Sequence, residues 1–349
     1  MEKHFTRMGD GEGIWMSREE IKEHVLMGME DAVTKGKAQP LGENEIDYLI
    51  DILTAPEKNL SVERGYEGIH TFDAGTLKLP IRSAIPVDRS TTLLIHERIL
   101  CSDTMEMCYT DYSYKAIKNI AAEEAMQMEH AQMNCIIPVF YGAMPNLGLY
   151  TKPDGPNDNW AELLPNGQIK EALEAQENAA KQCAADMIYI GSALAEAGAC
   201  GIQFDTAGAS GDADALAALN ASKKLTEKYP DLSITMGMAN EFNLGMHGRL
   251  KFEGDRLAGQ YPAQQVKTAE KAGVHSYGCV VNSNSSRSFP WNLARALTYV
   301  KEATRVADIP VLVNAGMGVG GIPLTNTSPT DATTRVAKTM LELGKADGL

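Results

Sequence analysis

The chain has 349 residues, of which 44% are hydrophobic and 22% are charged. This composition supports a sizeable folded core and excludes an intrinsically disordered protein. The formal net charge of −14 argues against a nucleic-acid-binding protein, because such proteins need a basic face to displace counterions from phosphates. The same charge is compatible with a cationic small substrate, although it also serves ordinary solubility.

The sequence carries no recognisable targeting or metal-binding motif. Its six cysteines form no Cys-x-x-Cys pair and no Cys/His cluster with zinc spacing, so we expect no metal site. The N-terminus from Met1 to His4 is polar, and the most apolar long stretch, around residues 187–204, carries Glu196. We therefore expect a cytoplasmic protein with neither a signal peptide nor a membrane span.

The first 130 residues differ in pattern from the remainder. Ser17 and Glu20 have the spacing of a capping box, which predicts a helix from there to about Lys35, and a second short helix is predicted over residues 43–53. Residues 59–100 mix short β-like runs with turn signals. We interpret residues 1–130 as a helical and β extension that packs on the following domain.

From residue 131 to residue 349, short apolar runs alternate with helical stretches. Strands are predicted over residues 134–141, 201–205, 232–238, 276–282 and 310–314. Helices are predicted over residues 169–197, 212–228, 262–272, 291–306 and 328–343. This alternation implies parallel βαβ units with right-handed crossovers, as in an α/β barrel or an open doubly wound sheet.

Two features favour a TIM-type (β/α)8 barrel. Each strand end carries a polar residue followed by a Gly-rich or Asn-rich loop, as expected where βα loops converge on one mouth. The segment from Gly316 to Gly321 matches G-x-G-x-x-G, but the next helix is predicted only near Pro329 or Asp331. Dinucleotide binding needs the helix directly after the glycines, so we expect bare backbone that lets a bulky ligand approach.

The predicted barrel is incomplete at its C-terminus. The helix over residues 328–343 is followed by Gly344 and a short segment to Leu349. A glycine cap and a turn should lead into another strand, and a barrel without its last strands would leave two open edges. We therefore expect further strands to belong to this domain.

Polar residues at the strand ends are the candidates for chemistry, because a barrel brings them to one cavity. Carboxylates there can hold a cation, or act as acid and base if burial raises their pKa values. The rings of Tyr141 and Trp291 could face an ammonium ion, and His247 is the histidine best placed to touch a ligand. Each residue alone could instead satisfy loop backbone groups. The strand-end candidates are Asp205, Glu241, Asn282, Asn284, Asn314 and Tyr141.

Several segments together resemble the dimethylamine:corrinoid methyltransferases, which belong to the pyrrolysine-containing methylamine methyltransferases. The resemblance extends from near the start of the chain to Leu349. The segments are Arg7-Met-Gly-Asp-Gly11, Ile95-His-Glu-Arg98, Asp103-Thr-Met-Glu106, Val139-Phe-Tyr-Gly-Ala-Met-Pro-Asn146, Lys152-Pro-Asp-Gly-Pro156, Phe204-Asp-Thr206, Gly208-Ala-Ser-Gly-Asp212, Leu244-Gly-Met-His-Gly248, Trp291-Asn-Leu-Ala-Arg-Ala296 and Gly316-Met-Gly-Val-Gly-Gly-Ile-Pro323.

The resemblance implies transfer of a methyl group from dimethylamine to the Co(I) corrinoid of a cognate corrinoid protein, with release of monomethylamine. This is the first step of methanogenesis from dimethylamine. It also implies that pyrrolysine, encoded by an in-frame UAG codon, follows immediately after Leu349. On this interpretation the chain is the fragment upstream of pyrrolysine, inactive alone, with no tightly bound cofactor, and the full-length protein is a homo-oligomer.

The implied mechanism gives each candidate a role. Pyrrolysine supplies an electrophilic imine carbon, and a carboxylic acid keeps the methylated nitrogen cationic so that it leaves more easily. We assign the acid to Glu241 or Asp205 from their strand-end positions. The predicted substrate-binding residues are Tyr141, Asn282, Asn314 and His247. The glycines predicted to admit the corrinoid are Gly316, Gly318, Gly320 and Gly321.

Two alternatives stay open. A lyase or aldolase barrel would need a Schiff-base lysine or a phosphate site at a strand end, and the strand ends carry no lysine. A non-catalytic fragment could instead bind only the corrinoid protein. The codon that follows Leu349 tests the methyltransferase, which requires UAG there. The non-catalytic fragment is tested by whether the purified 349-residue chain stays soluble and monodisperse, since persistent aggregation would exclude it.

Overall fold

A computed structural model describes residues 2–60, 140–143, 147–199, 201–209, 211–238, 241–245, 248–281, 285–313, 315–316, 318–325 and 328–349. Most of the residues over which β-like runs were predicted between 59 and 100 lie outside these ranges. So does the first part of the strand predicted over residues 134–141.

Nine strands and eight helices occur within the described residues. The strands are β1 (Lys3–Arg7), β2 (Gly13–Ser17), β3 (Phe140–Ala143), β4 (Gly201–Ala207), β5 (Ser233–Met238), β6 (Lys251–Phe252), β7 (Asp255–Arg256), β8 (Ser276–Cys279) and β9 (Val311–Val313). The helices are α1 (Arg18–Gly36), α2 (Glu43–Thr54), α3 (Trp160–Leu163), α4 (Ile169–Glu196), α5 (Asp212–Lys228), α6 (Pro262–Lys271), α7 (Phe289–Val306) and α8 (Thr330–Glu342). A short 3₁₀ helix spans Leu147–Tyr150.

The central sheet has five parallel strands in the order β3-β4-β5-β8-β9. Neighbours in the sheet follow chain order, and no reversal of strand order occurs among the described strands. This excludes the switch point of a doubly wound sheet within that part of the chain. The parallel α/β architecture is thus confirmed, whereas the described sheet does not close on itself, and the eight-stranded barrel stays a prediction.

The helices begin where local chemistry supplies a cap. Ser17 and Glu20 form the expected capping box: the Glu20 amide donates to Ser17 Oγ over 3.2 Å, and the Ser17 amide donates to Glu20 Oε2 over 2.7 Å. Pro262 is the first residue of α6. Amides in the first turn of a helix have no partner within the helix, so a proline, which lacks the amide hydrogen, is tolerated there. None of the helices in the described ranges is both long and apolar enough to cross a membrane.

The two faces of the sheet differ in what covers them. Tyr277 of β8 donates its hydroxyl to Gln265 of α6 over 2.6 Å, so this face packs against the helices. The side chains on the helix face are at most 1% exposed: Ile202, Phe204, Ile234, Met236, Tyr277 and Cys279. We call the opposite side the inner face.

Helix α1 packs against α7 through a glycine. A Cβ atom on Gly28 would lie only 2.2 Å from the backbone oxygen of Trp291, so the two helices approach too closely for any side chain there. A turn residue before β2 also reaches the segment between β9 and α8, since the Leu324 amide donates to the Gly9 carbonyl over 2.8 Å. The N-terminal segment is therefore packed on the α/β part of the chain.

Residues 347–348 run alongside β9. The Asp347 amide donates to the Val311 carbonyl over 2.9 Å, and the Val313 amide donates to the Gly348 carbonyl over 3.0 Å. Leu312 and Gly348 form a parallel bridge. The turn after α8 therefore leads into a sixth parallel segment, as the glycine cap predicted.

Candidate functional site

The inner face of the sheet is polar. In parallel register Gln203 of β4 lies level with Thr235 of β5, and Thr235 lies level with Ser276 of β8. The hydroxyls of Thr235 and Ser276 share a hydrogen bond of 2.5 Å. Bulky branched side chains usually fill the interior of a barrel at such positions. Gln203, Thr235 and Ser276 instead present an amide and two hydroxyls.

Asp205 lies one step nearer the carboxyl end of the sheet. The next positions along β5 and β8 are Gly237 and Gly278, which are level with each other. Asp205 Oδ1 lies 3.0 Å from the point that a Cβ atom on Gly237 would occupy, and Gln203 Nε2 lies 3.6 Å from the same point. A carboxylate and an amide therefore converge over bare backbone.

This part of the inner face is accessible. Gln203, Asp205 and Gly278 are all partly exposed, whereas their neighbours on the helix face are buried. A glycine inside a central strand weakens it and commonly marks a place where a ligand or another backbone comes close. A Cβ atom on Gly278 would lie 2.9 Å from Gly237 Cα, so close approach of the strands accounts for Gly278. The Asp205 carboxylate lies beside the space that a side chain at position 237 would fill, which explains the glycine there.

Glu241 lies three residues beyond β5 but is paired with an arginine. Arg295 of α7 donates from both terminal nitrogens to the Glu241 carboxylate, with Nη1 at 2.6 Å from Oε2 and Nη2 bonded to Oε1. Both residues are buried, with side-chain exposures of 8% for Arg295 and 11% for Glu241. A fork of this kind engages both carboxylate oxygens with Arg295, which counts against Glu241 as the residue that contacts a substrate.

Arg295 extends the network to the N-terminal helix. Its Nε donates to Asp31 of α1 over 2.7 Å, and its guanidinium lies 5.2 Å from the ring centre of Tyr299 and 5.7 Å from that of Trp291. Burial alone would lower the pKa of Arg295, but the hydrogen bonds and charges of Glu241 and Asp31 raise it overall. The Trp291 ring, expected to face an ammonium ion, thus faces a guanidinium.

A second carboxyl group is buried where two βα loops meet. Asp212, the first residue of α5, is 1% exposed, and neither of its carboxylate oxygens has a hydrogen-bond partner among the described residues. Its amide donates to the Leu244 carbonyl over 2.6 Å, and its Oδ2 would lie 2.8 Å from a Cβ atom on Gly245. Burial raises the pKa of Asp212 to about 6, against the opposing effects of nearby backbone amides and the Arg256 charge.

The glycine loop after β9 is buried. Gly316, Gly318, Gly320 and Gly321 are all inaccessible; the Gly320 amide donates to the Val281 carbonyl over 2.8 Å. Gly321 has φ +100°, and a Cβ atom there would lie 2.8 Å from Leu293 Cα of α7. These glycines serve turn conformation and helix packing. Helix α8 begins only at Thr330, so the loop is not a dinucleotide site.

A polar inner face beneath strand-end carboxylates fits several enzyme classes, and comparison with known proteins decides among families. The sequence matches the family described as dimethylamine methyltransferase (Dimeth_PyL) over residues 2–349. The chain belongs to the dimethylamine methyltransferase family. No solved structure matches it.

Several residues expected to matter in a dimethylamine methyltransferase lie outside the described ranges: Asn282, Asn284, Asn314 and His247. Tyr141 lies in β3, level with Ile202 in the register, and its side chain is not among those described. Among the described residues, no group of three or more His, Cys, Asp or Glu side chains could hold a metal ion.

Three residues of the candidate site were not predicted from the sequence: Gln203, Asp212 and Arg295. Gln203 could have been found, because alternation along Gly201-Ile-Gln-Phe-Asp205 puts Gln203 and Asp205 on the same side of the strand. Arg295 gives no such signal, since its partners Glu241 and Asp31 are distant in sequence. Asp212 looks like an ordinary acidic first-turn residue until its burial is known.

Proposed function

We propose that this chain forms the amine-binding scaffold of an enzyme that transfers a methyl group from dimethylamine to a corrinoid held by a cognate corrinoid protein, releasing monomethylamine. The observation that carries the proposal is the Asp205 carboxylate, held over the bare backbone of Gly237 on an accessible polar face. Membership of the dimethylamine methyltransferase family supplies the substrate class.

Asp205 suits a small ammonium ion. Taking a cationic amine out of water lowers its pKa, whereas a carboxylate within contact distance raises the pKa again. A protonated nitrogen leaves as a neutral amine, which is a far better leaving group than an amide anion. Asp205 would therefore bind the ammonium ion and hold the nitrogen cationic until the methyl group departs, whether the charge comes from a proton or from a bond to an electrophile.

The corrinoid and pyrrolysine would supply the nucleophile and the electrophile of the reaction. The reduced corrinoid, when bound, provides the electron pair that takes the methyl carbon, while the electrons of the broken C–N bond stay on nitrogen. By resemblance to its family, pyrrolysine after Leu349 would provide the electrophile that orients the amine. The residues of the inner face would bind the amine and fix its charge, which aligns the reacting centres.

The two carboxylates proposed as the acid have different roles in this arrangement. Asp205 is directed over Gly237 on the inner face, where a substrate can reach it. Glu241 is enclosed by Arg295 and holds the loop after β5 against α7. We therefore favour Asp205 for the contact with the amine and assign Glu241 to positioning.

The sheet arrangement fits the proposed barrel. Five parallel strands in chain order, followed by residues 347–348 alongside β9, are what successive units of a (β/α)8 barrel require. The register carries Leu349 one residue beyond the Leu312–Gly348 bridge, toward the carboxyl edge of the sheet. A pyrrolysine codon directly after Leu349 would place the catalytic residue at that edge. Sequencing the transcript across this position tests that part.

The aldolase alternative gains no support from the inner face. The described inner-face residues from Gln203 to Gly278 include no lysine that could form a Schiff base. A methyltransferase needs no such lysine, because its proposed electrophile is a different residue.

The proposed function is tested with the pyrrolysine-containing protein, its corrinoid partner and a reductant, by measuring monomethylamine release. We expect Asp205→Asn to lower kcat/KM for dimethylamine on the order of 100-fold, since it removes the charge that holds the ammonium ion. Asp308→Asn, at a highly exposed carboxylate, is the matched control and should behave as wild type.

Two results would contradict the proposal at different levels. A wild-type protein that demethylates no methylamine under these conditions would overturn the assigned reaction. A wild-type rate retained by Asp205→Asn would overturn only the role of Asp205.

A further inference from the structure

The side chain of Gln203 is placed beside the proposed amine contact. It lies two residues before Asp205 on β4. The register of β4 with β5 shifts between Phe204 and Ala207, and both side chains lie over Gly237 of β5. Both side chains come within 3.6 Å of a single point over Gly237. Gln203 is partly exposed, and no hydrogen-bond partner is found for its carboxamide among the described residues.

We propose that Gln203 is a second substrate-binding residue, which distinguishes amines by the number of N–H groups that they carry. Gly237 is in this proposal a positioning residue for Asp205. This inference rests on the function proposed above and names the residues that set its selectivity.

Counting hydrogen bonds gives the role of Gln203. A dimethylammonium ion carries two N–H donors, a trimethylammonium ion carries one, and a tetramethylammonium ion carries none. The Asp205 carboxylate accepts one N–H, and the carboxamide oxygen of Gln203, on the same side of the strand, accepts the second. Either end of an amide can be turned toward a donor, because its oxygen and nitrogen are nearly equal in shape. An ion with a single N–H gains nothing from Gln203.

The proposed role of Gly237 follows from the space that its missing side chain leaves. Its missing side chain leaves room for the Asp205 carboxylate to lean across β5, with Oδ1 at 3.0 Å from the absent Cβ position. The methyl group of an alanine at that point would push the carboxylate away from β5. Gly237 has no left-handed backbone conformation that would explain the glycine otherwise.

The two parts predict different changes in selectivity. We expect Gln203→Leu to raise KM for dimethylamine about tenfold or more, the usual effect of losing a hydrogen bond to a charged group. Its KM for trimethylamine should stay within about twofold of wild type. Gly237→Ala should raise KM for both amines alike, because both need Asp205, and so leave their ratio unchanged.

The experiment uses the pyrrolysine-containing protein with its corrinoid partner, and adds titration calorimetry with dimethylammonium and tetramethylammonium chlorides. Gln203→Leu should weaken binding of dimethylammonium and leave any binding of tetramethylammonium unaltered. Gln203→Asn, shorter by one methylene group, should lose less than Gln203→Leu. Gln168→Leu, at an exposed glutamine before α4, is the matched control and should match wild type in every readout.

The outcomes separate the inference from the function on which it rests. A wild-type protein that binds and demethylates no methylamine would refute the proposed function. A functional wild type whose dimethylamine-to-trimethylamine ratio of KM values is unaltered in Gln203→Leu would overturn the role of Gln203. If that variant fails to fold, the ratio in Gln203→Asn decides. Unaltered kinetics in Gly237→Ala would overturn the role of Gly237.

Discussion

Asp212 is a carboxyl group that the fold buries without a hydrogen-bond partner in the described part of the chain. An ionised carboxylate in such a place loses its hydration, and burial therefore raises the pKa of Asp212 from its ordinary 3.8 to about 6. The folded chain holds this proton more tightly than the unfolded chain does. Stability therefore falls as the pH rises through the window from about 4 to 6, and the loss persists above it.

Asp212→Asn should stabilise the chain at neutral pH. The amide has nearly the same shape and never ionises, so the variant escapes a loss that a shift of roughly two pKa units sets at about 3 kcal/mol. Urea unfolding at pH 7.5 and at pH 4 measures the effect. The difference from wild type should be large at pH 7.5 and nearly vanish at pH 4, whereas exposed Asp308→Asn should show no such trend. A difference independent of pH would contradict the assigned cause.

At the scale of elements, Arg295 joins three segments that are distant in the chain. It belongs to α7, pairs with Glu241 in the loop after β5, and reaches Asp31 in α1. Buried ion pairs offer little net stability over apolar contacts, but removing one partner leaves a charge without compensation. The pairing therefore acts mainly by fixing how α1, α7 and that loop sit against each other.

Arg295→Met should lower the free energy of unfolding by about 3–5 kcal/mol, because it leaves Glu241 buried and unpaired. Lys35→Met is the matched control: Lys35 pairs with the same Asp31 over 2.8 Å but is more than half exposed, so we expect a loss below about 1 kcal/mol. Urea unfolding of both variants checks this. Equal losses would show that burial of the pair is not what matters.

Elements with strong local signals were predictable from sequence. The capping box at Ser17 located α1, and α5 was predicted over the residues that it occupies, 212–228. The hairpins β1–β2 and β6–β7 were missed, since strands of five and two residues carry little alternation. The strand predicted over residues 276–282 also proved too long, because β8 ends at Cys279.

The site was predictable only where strand geometry decides it. Asp205 follows from its position at a strand end, and the structure sets it over the inner face. The environment of Glu241 could not be foreseen, because its partner Arg295 lies 54 residues away on a helix. Sequence likewise gives no sign that Gly321 is buried, since its burial depends on Leu293 of α7, which packs against it.

For the whole molecule, the free energy of local opening should be highest in the central strands of the sheet and lower toward the periphery. Strands β4 and β5 each have a neighbour on both sides and a fully buried helix face. Their amides should exchange hydrogen only when the whole chain unfolds. The β6–β7 hairpin pairs through two residues on each strand, so its amides should exchange orders of magnitude faster. Hydrogen exchange read by mass spectrometry measures both, and equal protection would contradict this grading.

The close seam of α1 on α7 has a consequence for synthesis. Roughly 250 residues separate Gly36 from Phe289, the end of one helix from the start of the other. At about 5–20 residues per second, α1 leaves the ribosome on the order of 10–50 s before its packing surface exists. During that interval the apolar stripe around Gly28 has no native partner, so the newborn chain is a natural client for a chaperone that shields such stripes.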